Sequence, residues 1–575
     1  MVLETISAFH VTPTNLTATN WPDAVAAKRA RRDMLIPVEW RLDPSFLDGA
    51  YQDATQIVYQ CGILTHRELQ ITELDELEEL VLAIAQGIYT SVEVTIAYCK
   101  RAVIAQQATN CLTEIYFEQA VLRAAQLDDQ LRTTGQVVGP LHGVPISLKD
   151  QFDIEGTELT MGYASYLGRV SPRDSSLVRL LTDAGAIIHC RTNVPMTLLD
   201  GDTDNNVFGR TLNPLNTALS PGGSSGGEGA LVAMKGSILG VGTDIGGSIR
   251  IPASFCGLHA LRPTSHRVPY GHSTNSQMGQ VSVPSVAGPL ARSLTSCSYF
   301  MRCVLDADPS RYDATALPFP FDSAASVRVD LRRKLAFGVI RTDGYVRPHP
   351  PVKRALEEAV GRLREIGHEV IEFDVSDFKG ISPTLTALLL ADGGEDIRRT
   401  LEPISEPLLP HLTFGLHTQK TVYETYQLNR HKETLQQAFL SQWLATVAQT
   451  TTGREVDAIL LPTTAMTAGK SGDMRWGGYG AFASLLDLPA VAVPFGKVDP
   501  AVDVAPFPRE PLSVADADVT GSYDPVTTAG MPISLQLVGK RYKDEELLAV
   551  AERVVQVLSA PSGAGTLPSP PLSTC

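Results

Sequence analysis

The sequence predicts an α/β protein, and three observations carry that reading. Past residue 330, short apolar runs (KLAFGVI, HEVIEF, DAILLP, PAVAVPFG, PISLQLVG) alternate with helical stretches such as 351–365 and 541–558, the pattern of strands packed between helices. An apolar fraction of 43% against 19% charged residues, spread over 575 residues, is enough to bury a substantial core and argues against global disorder. No similarity recurs at a period of 20 to 50 residues, which excludes a solenoid of stacked repeats.

The N-terminus, MVLETISAFHVTPTNLT, has no basic segment followed by an apolar one, so no secretory signal is expected. No window approaches the roughly 18 apolar residues of a membrane span, and a cytoplasmic protein is the expectation. The Asn15-Leu16-Thr17 sequon then reads as chance, and SPPLSTC at the C-terminus matches neither a peroxisomal tripeptide nor a prenylation box. The basic run Lys28, Arg29, Arg31 and Arg32 reads as a solvated helix face.

Residues 72–107 read as two helices, TELDELEELVLAIAQG and TSVEVTIAYCKRAVIAQQ, with apolar residues three and four apart and a Thr90-x-x-Glu93 capping box opening the second. Their apolar faces offer a surface for a homodimer. A further helix covers about 115–133. GQVVGPLHGVPISLKD then changes to Gly, Pro and β-branched residues, as strand and loop would, and the centre from about 135 to 270 is rich in glycine. The Pro- and Asp-rich stretch 498–527 and the tail from 559 read as dispensable to the core, the tail as mobile.

Charge excludes one class of partner. A formal net charge of -15 opposes attraction to phosphate backbones, so no nucleic acid is expected. The eight cysteines are scattered without the paired spacing of a metal site or a disulfide framework and read as reduced thiols. Neither GxxxxGK[ST] nor GxGxxG occurs, which removes the common phosphate-cradling loops.

The chemistry concentrates in PGGSSGGEGA (Pro221 to Ala230) and GVGTDIGGSIRIP (Gly240 to Pro252). Glycine loses more backbone entropy on folding than any other residue, so such clusters imply that the chain must take positive φ or approach another atom closely. The first string satisfies G-x-S-x-G twice, through Ser224 or Ser225, and a nucleophile elbow would need a histidine and an acid downstream. His259, His266, His272, His349, His368, His411, His417 and His431 keep that alternative open, although their settings read as surface or structural. Ser248 stands after Ile245-Gly246-Gly247, where successive N–H groups with little side-chain bulk can converge on one oxygen. Lys149 lies in apolar GVPISLKD, and burial there would lower its pKa until the neutral amine accepts a proton.

Lys149 in HGVPISLKD, Ser224 in SPGGSSGGEGA and Ser248 in GVGTDIGGSIRIPASFCG, 75 and 24 residues apart, resemble the catalytic segments of the amidase signature family. The likeness continues through RTNVP and DNNVFGRTLNP (Arg191 to Pro214), LLDLPAVAVPFG (Leu485 to Gly496) and GMPISLQLVGKRYKDEELL (Gly530 to Leu548), covering about 70–558. IPVEWRL near the N-terminus and NCLTEIYFEQA at 110–120 resemble segments of fungal acetamidase-type members.

The resemblance implies a large mixed, twisted β-sheet covered by helices on both faces, with residues 1–70 as an N-terminal arm packed on the core, 71–558 as the catalytic domain and 559–575 as a flexible tail. It implies hydrolysis of a small-molecule carboxamide to a carboxylic acid and ammonia or an amine through an acyl-enzyme, with no cofactor and no metal. Ser248 would be the nucleophile, Ser224 a bridging serine held by a cis peptide bond and in contact with substrate, and Lys149 the general base. The N–H groups of Ile245, Gly246, Gly247 and Ser248 would hold the oxyanion, Leu198 would line the acyl site through its backbone, and Ser225, Asp244 and Arg250 would support the loops. Met196 departs from the family pattern, which often has glutamine or glutamate there, and puts the pocket's polarity in question. Three other readings share the resemblance: a subunit of a tRNA-dependent amidotransferase, an acyltransferase or pathway-specific amide hydrolase of fungal secondary metabolism, and a catalytically dead binding protein.

Overall fold

The five apolar runs past residue 330 all become strands, and six earlier segments join them in one eleven-stranded mixed sheet. The computed structural model describes residues 16–49, 52–330, 333–412, 418–504 and 510–560. In chain order the strands are β1 (Leu112–Ile115), β2 (Pro145–Lys149), β3 (Ile187–Thr192), β4 (Leu239–Asp244), β5 (His259–Arg262), β6 (Val286–Ala291), β7 (Ala336–Val339), β8 (Glu369–Glu372), β9 (Ala458–Pro462), β10 (Ala490–Lys497) and β11 (Pro532–Val538). Their spatial order is β1-β3-β2-β4-β6-β5-β10-β11-β9-β7-β8. Parallel pairs lie toward either end (β3-β2-β4 and β9-β7-β8), with an antiparallel run between them.

Side chains alternate across a strand, so a sheet buried on both faces must find two cores. Along β10, Val491 and Val493 join the main core while Ala490 and Ala492 pack into clusters on the opposite face. On β9, Leu460 faces the main core and Ile459 and Leu461 face away from it. The main core is completed by the helices Leu294–Asp306, Pro350–Glu365 and Asp544–Ser559, the other face by Gly226–Ala233, Arg250–Cys256 and Gly478–Leu486.

Four local expectations change. The helix read over 72–87 is two helices, His66–Glu73 and Leu77–Ala85, because residues 292–296 occupy the break: Ser296 Oγ accepts the Leu77 N–H at 2.9 Å, and Arg292 donates to the carbonyls of Thr72 and Leu74. Its neighbour Ser91–Thr109 carries the expected capping box, Glu93 N–H to Thr90 Oγ1 at 3.1 Å and Thr90 N–H to Glu93 Oε2 at 2.9 Å. Most of that helix is buried inside this chain, so its apolar residues go to this chain's own core.

The basic run is not a solvated face. On the helix Trp21–Met34, Lys28 is buried and donates to Glu114 and Glu158, and Arg32 is buried and donates to the Leu112 carbonyl at 2.7 Å. The 498–527 stretch is not dispensable either. Within it, Asp503 takes two hydrogen bonds from Arg354 at 2.7 and 2.8 Å, Asp516 takes the Arg347 N–H at 2.8 Å, and Val519 is fully buried. Nearly all of the tail, from 561 onward, lies outside the described residues, as do Asn15 and His417.

Candidate active site

Parallel strands that sit side by side open their carboxyl ends on one edge, and ligands of α/β sheets bind outside that edge. β2 and β4 are such neighbours, with Ser147 opposite Gly240 and Leu148 opposite Val241. Lys149 ends β2, Asp244 ends β4, and the turn Ile245 to Ser248 follows at once. The first glycine string, Pro221 to Ala230, enters from the side: its loop leads into the helix Gly226–Ala233, which packs against both strands. The Gly223–Ser224 peptide bond is cis.

The glycines are there for close approach. A β-carbon on Gly223 would stand 2.0 Å from the Asp202 carbonyl oxygen, and one on Gly227 would stand 2.3 Å from the Asn193 nitrogen. The Ser225 N–H donates to the Ser248 carbonyl at 3.1 Å, which fastens the two strings together.

Lys149 has no exposed surface. Its Nζ lies 2.7 Å from Ser224 Oγ and 2.8 Å from Thr243 Oγ1. Burial disfavours the ammonium and, against the opposing charges of Asp244 and Glu228, lowers the pKa to about 7. A neutral amine is therefore accessible near neutral pH. Glu228, on the first turn of the Gly226–Ala233 helix, accepts from Ser147 Oγ at 2.6 Å and Thr192 Oγ1 at 2.8 Å. Burial pushes its carboxyl up to about 8 despite those donors and the nearby Lys149.

The Ile245 to Ser248 turn is shaped by an ion pair beneath it. Asp244 is fully buried and meets Arg250 twice, Oδ2 to Nε and Oδ1 to Nη2, each at 3.0 Å. Burial alone would raise that carboxyl, but Arg250 and Arg262 hold it at about 2. Arg250 also donates to Gln536 Oε1 at 2.8 Å, the Gly480 carbonyl at 2.9 Å and Ser484 Oγ at 3.1 Å, tying the turn to β11 and the Gly478–Leu486 helix.

A cavity of about 320 Å³ opens over this turn, and Ser248 lines it together with Leu198, Ile245, Gly246, Leu385 and Trp476. Two expected substrate contacts lie behind it. The Ser224 side chain faces Lys149, and the Gly247 N–H is taken by Asp244 Oδ1 at 2.8 Å, which leaves Ile245, Gly246 and Ser248 as the turn's oxyanion candidates. Leu198 and its neighbour Thr197 hold φ of 62° and 73°, a left-handed pair of non-glycine residues, which is uncommon and clusters at ligand sites. Met196 is fully buried among Met161, Tyr163 and Leu412, away from the cavity, so it does not set the cavity's polarity. At the rim, Asp200 Oδ2 lies 3.1 Å from His411 Nε2, and this contact raises the imidazole's pKa.

Sequence reasoning missed Thr243, Gln151 and Glu228. Glu228 had a signal, a lone acid among glycines and alanines at a position packed too tightly for solvent. Thr243 and Gln151 had none, because their roles depend on which strand neighbours which. Among the described residues no histidine bonds Ser224, Ser225 or Ser248, so the nucleophile-elbow alternative lacks its base. The seven described cysteines are unpaired, and no group of three or more His, Cys, Asp or Glu residues could hold a metal ion among the described residues. No described helix is long and apolar enough to cross a membrane.

The family model described as Amidase matches residues 93–548. The acetamidase of Aspergillus oryzae is 38% identical over 546 residues, which cover 94% of this chain and 99% of that protein. The acetamidase of Emericella nidulans is likewise 38% identical over 545 residues, 94% of this chain and 98% of that protein. Among solved structures, a fatty acid amide hydrolase superimposes with a TM-score of 0.88 at 32% identity, covering 95% of this chain and 98% of that one.

Proposed function

The chain belongs to the amidase family and is an amide hydrolase acting on carbon–nitrogen bonds, and from that premise we propose that Ser248 is its nucleophile, that Lys149 is its base through Ser224, and that it prefers apolar acyl groups larger than acetyl. The observation that carries the catalytic assignment is the buried contact of Lys149 Nζ with Ser224 Oγ at 2.7 Å, on an amine whose pKa is lowered to about 7. Neutral Lys149 takes the Ser224 proton while Ser224 takes the Ser248 proton, and the Ser248 oxygen adds to the amide carbon. The oxyanion forms against the N–H groups of Ile245, Gly246 and Ser248, donors already in place on a turn that lines the cavity. Proton return along the same path to the amide nitrogen breaks the C–N bond and releases ammonia or an amine. Water then attacks the acyl-enzyme by the same relay and frees the acid and Ser248.

The acyl preference rests on the cavity. A volume of about 320 Å³ is roughly ten times that of a water-sized group, and the methyl of acetamide is little larger than one. Leu198, Ile245, Leu385, Leu389, Met474 and Trp476 make its walls largely apolar. Each acyl methylene moved from water into such walls is worth about 0.8 kcal/mol, about a fourfold gain in kcat/KM.

The test is a ladder of primary amides from acetamide to hexanamide, with intact-mass detection of the acyl-enzyme and of fluorophosphonate on Ser248. The expectation is rising kcat/KM along the ladder and one label per chain, absent in Ser248→Ala. Labelling that persists in Ser248→Ala would overturn the nucleophile, and acetamide outpacing every longer amide would overturn the acyl preference.

A further inference from the structure

The Lys149 amine sits on a hydrogen-bond chain that continues past Ser224. Lys149 Nζ is 2.8 Å from Thr243 Oγ1, Thr243 Oγ1 donates to Gln151 Oε1 at 2.7 Å, and Gln151 Nε2 donates to Tyr270 Oη at 2.6 Å. Asn275 Nδ2 reaches the same phenol oxygen at 3.4 Å. Thr243 and Gln151 are both buried, and the Gln151 main chain is held by Thr274 N–H on its carbonyl at 3.0 Å.

The direction of each bond matters because a hydroxyl has a single hydrogen. Gln151 takes the Thr243 hydrogen on its carbonyl oxygen, so Thr243 can offer Lys149 only lone pairs. A neutral amine has two N–H bonds and one lone pair. With an N–H directed at Thr243, the lone pair is free to face Ser224, 2.7 Å away. Take away the Gln151 carbonyl, and the Thr243 hydroxyl can turn and donate into that lone pair in competition with Ser224.

We propose that Gln151 is a positioning residue for the amide hydrolysis: by holding the hydroxyl hydrogen of Thr243 it keeps Thr243 an acceptor and aims the Lys149 lone pair at Ser224. This rests on the assignment of Lys149 as the base. The other groups whose charge or proton bears on the amine are Asp244, kept ionised by Arg250, Glu228 on the Gly226–Ala233 helix, and the Tyr270 phenol, whose pKa burial pushes up to about 12. None of them orients the lone pair.

The experiment measures kcat, KM and the pH dependence of kcat/KM with hexanamide and acetamide for Gln151→Met, Thr243→Val, the double variant, Thr243→Ser, Gln151→Glu and Lys149→Ala, with thermal melts alongside. Gln151→Met and Thr243→Val should each lose about tenfold to a hundredfold in kcat with KM within about twofold. Their acid limb should move to lower pH, because the neutral amine gains a donor in the first and the ammonium loses an acceptor in the second. The double variant should be no slower than Thr243→Val, since Gln151 acts through Thr243. Thr243→Ser should recover both rate and limb. Gln151→Glu, which keeps an acceptor and adds negative charge, should move the limb to higher pH and serves if Gln151→Met does not fold.

Multiplicative losses in the double variant, or an unmoved limb in both Gln151→Met and Gln151→Glu, would overturn the positioning role. Lys149→Ala separates the two failures. A wild-type limb in that variant removes the base assignment and the positioning role with it, whereas a lost limb beside unaffected Gln151 variants removes the positioning role alone.

Discussion

Gly480 lies so close to Gly246 that a β-carbon on residue 480 would stand 2.3 Å from the Gly246 carbonyl oxygen and 3.0 Å from Gly247 Cα. The neighbouring atoms are backbone, so Gly480→Ala cannot be absorbed by a side chain swinging away. The turn proposed to carry the oxyanion donors must shift. Overpacking of this kind costs about 1–3 kcal/mol of stability, whereas displacing an oxyanion donor costs about 100- to 1000-fold in kcat. Gly480→Ala is therefore expected to melt only a few degrees lower while losing about two orders of magnitude in turnover. Steady-state kinetics beside a thermal melt checks this, and wild-type turnover would show that the turn tolerates the shift.

The Lys149 pKa of about 7 sets both an activity limb and a stability trend. Activity should rise as pH passes upward through about 7, because the neutral amine is the form proposed to act as base. Glu228, at about 8 and electrostatically linked to Lys149, broadens the limb into a property of the pair. For stability the sign follows from proton counts: between about 7 and the ordinary lysine value of 10.5 the unfolded chain holds a proton that the folded chain lacks, so this group's burden on the fold eases as pH rises through that window. Lys149→Met should thus be inactive yet melt higher than wild type at pH near 7, with the difference shrinking toward pH 10. An equal difference at both pH values would refute the depressed pKa.

These two sites show what could be read in the sequence. The glycine strings and Lys149 were legible because their physical demands are local: a loop of consecutive glycines implies close approach wherever it lies, and the turn beneath the cavity, the cis peptide and the Ser225–Ser248 bond all fall within them. The strands past 330 were legible from short apolar runs. Gly480 and Thr243 were not, because a helix glycine and a strand threonine acquire meaning only when β2, β4 and the Gly478–Leu486 helix are placed side by side. Lys28 was misread for a related reason. Four basic residues in five positions look solvated until Glu114 and Glu158, far away in sequence, are brought beneath one of them.

Asp244 and Arg250 should be intolerant of even conservative change. Removing one partner of a buried pair leaves an uncompensated charge, at a cost of about 3–5 kcal/mol. Arg250→Lys should recover little, because an ammonium cannot reproduce the paired contact to Asp244 together with those to Gln536 and Gly480. The Asp244 carboxyl is depressed to about 2, so its contribution is present above the unfolded value near 3.8 and disappears as pH falls through about 2. Denaturant melts of Arg250→Lys and Asp244→Asn should show losses of that order at pH 7. A loss under about 1 kcal/mol in both would mean that the turn is held by something else.

Leu385 offers a direct handle on which amides are accepted. It lines the cavity together with Ser248, and its Cδ2 would be 3.6 Å from a β-carbon on Gly246, so it packs over the turn that carries the proposed nucleophile. Leu385→Phe brings a larger ring into the space an acyl chain would occupy beyond its first carbons, while leaving room for a methyl. Acetamide turnover is expected to stay within about threefold, and kcat/KM for hexanamide to fall by about tenfold, an effect of the size that one to two methylenes of lost burial produce. The diagnostic quantity is the hexanamide-to-acetamide ratio, because a general disturbance of the active site lowers both substrates together and leaves that ratio where it was. An unchanged ratio in a folded Leu385→Phe enzyme would place the acyl chain elsewhere and remove the basis for preferring longer amides.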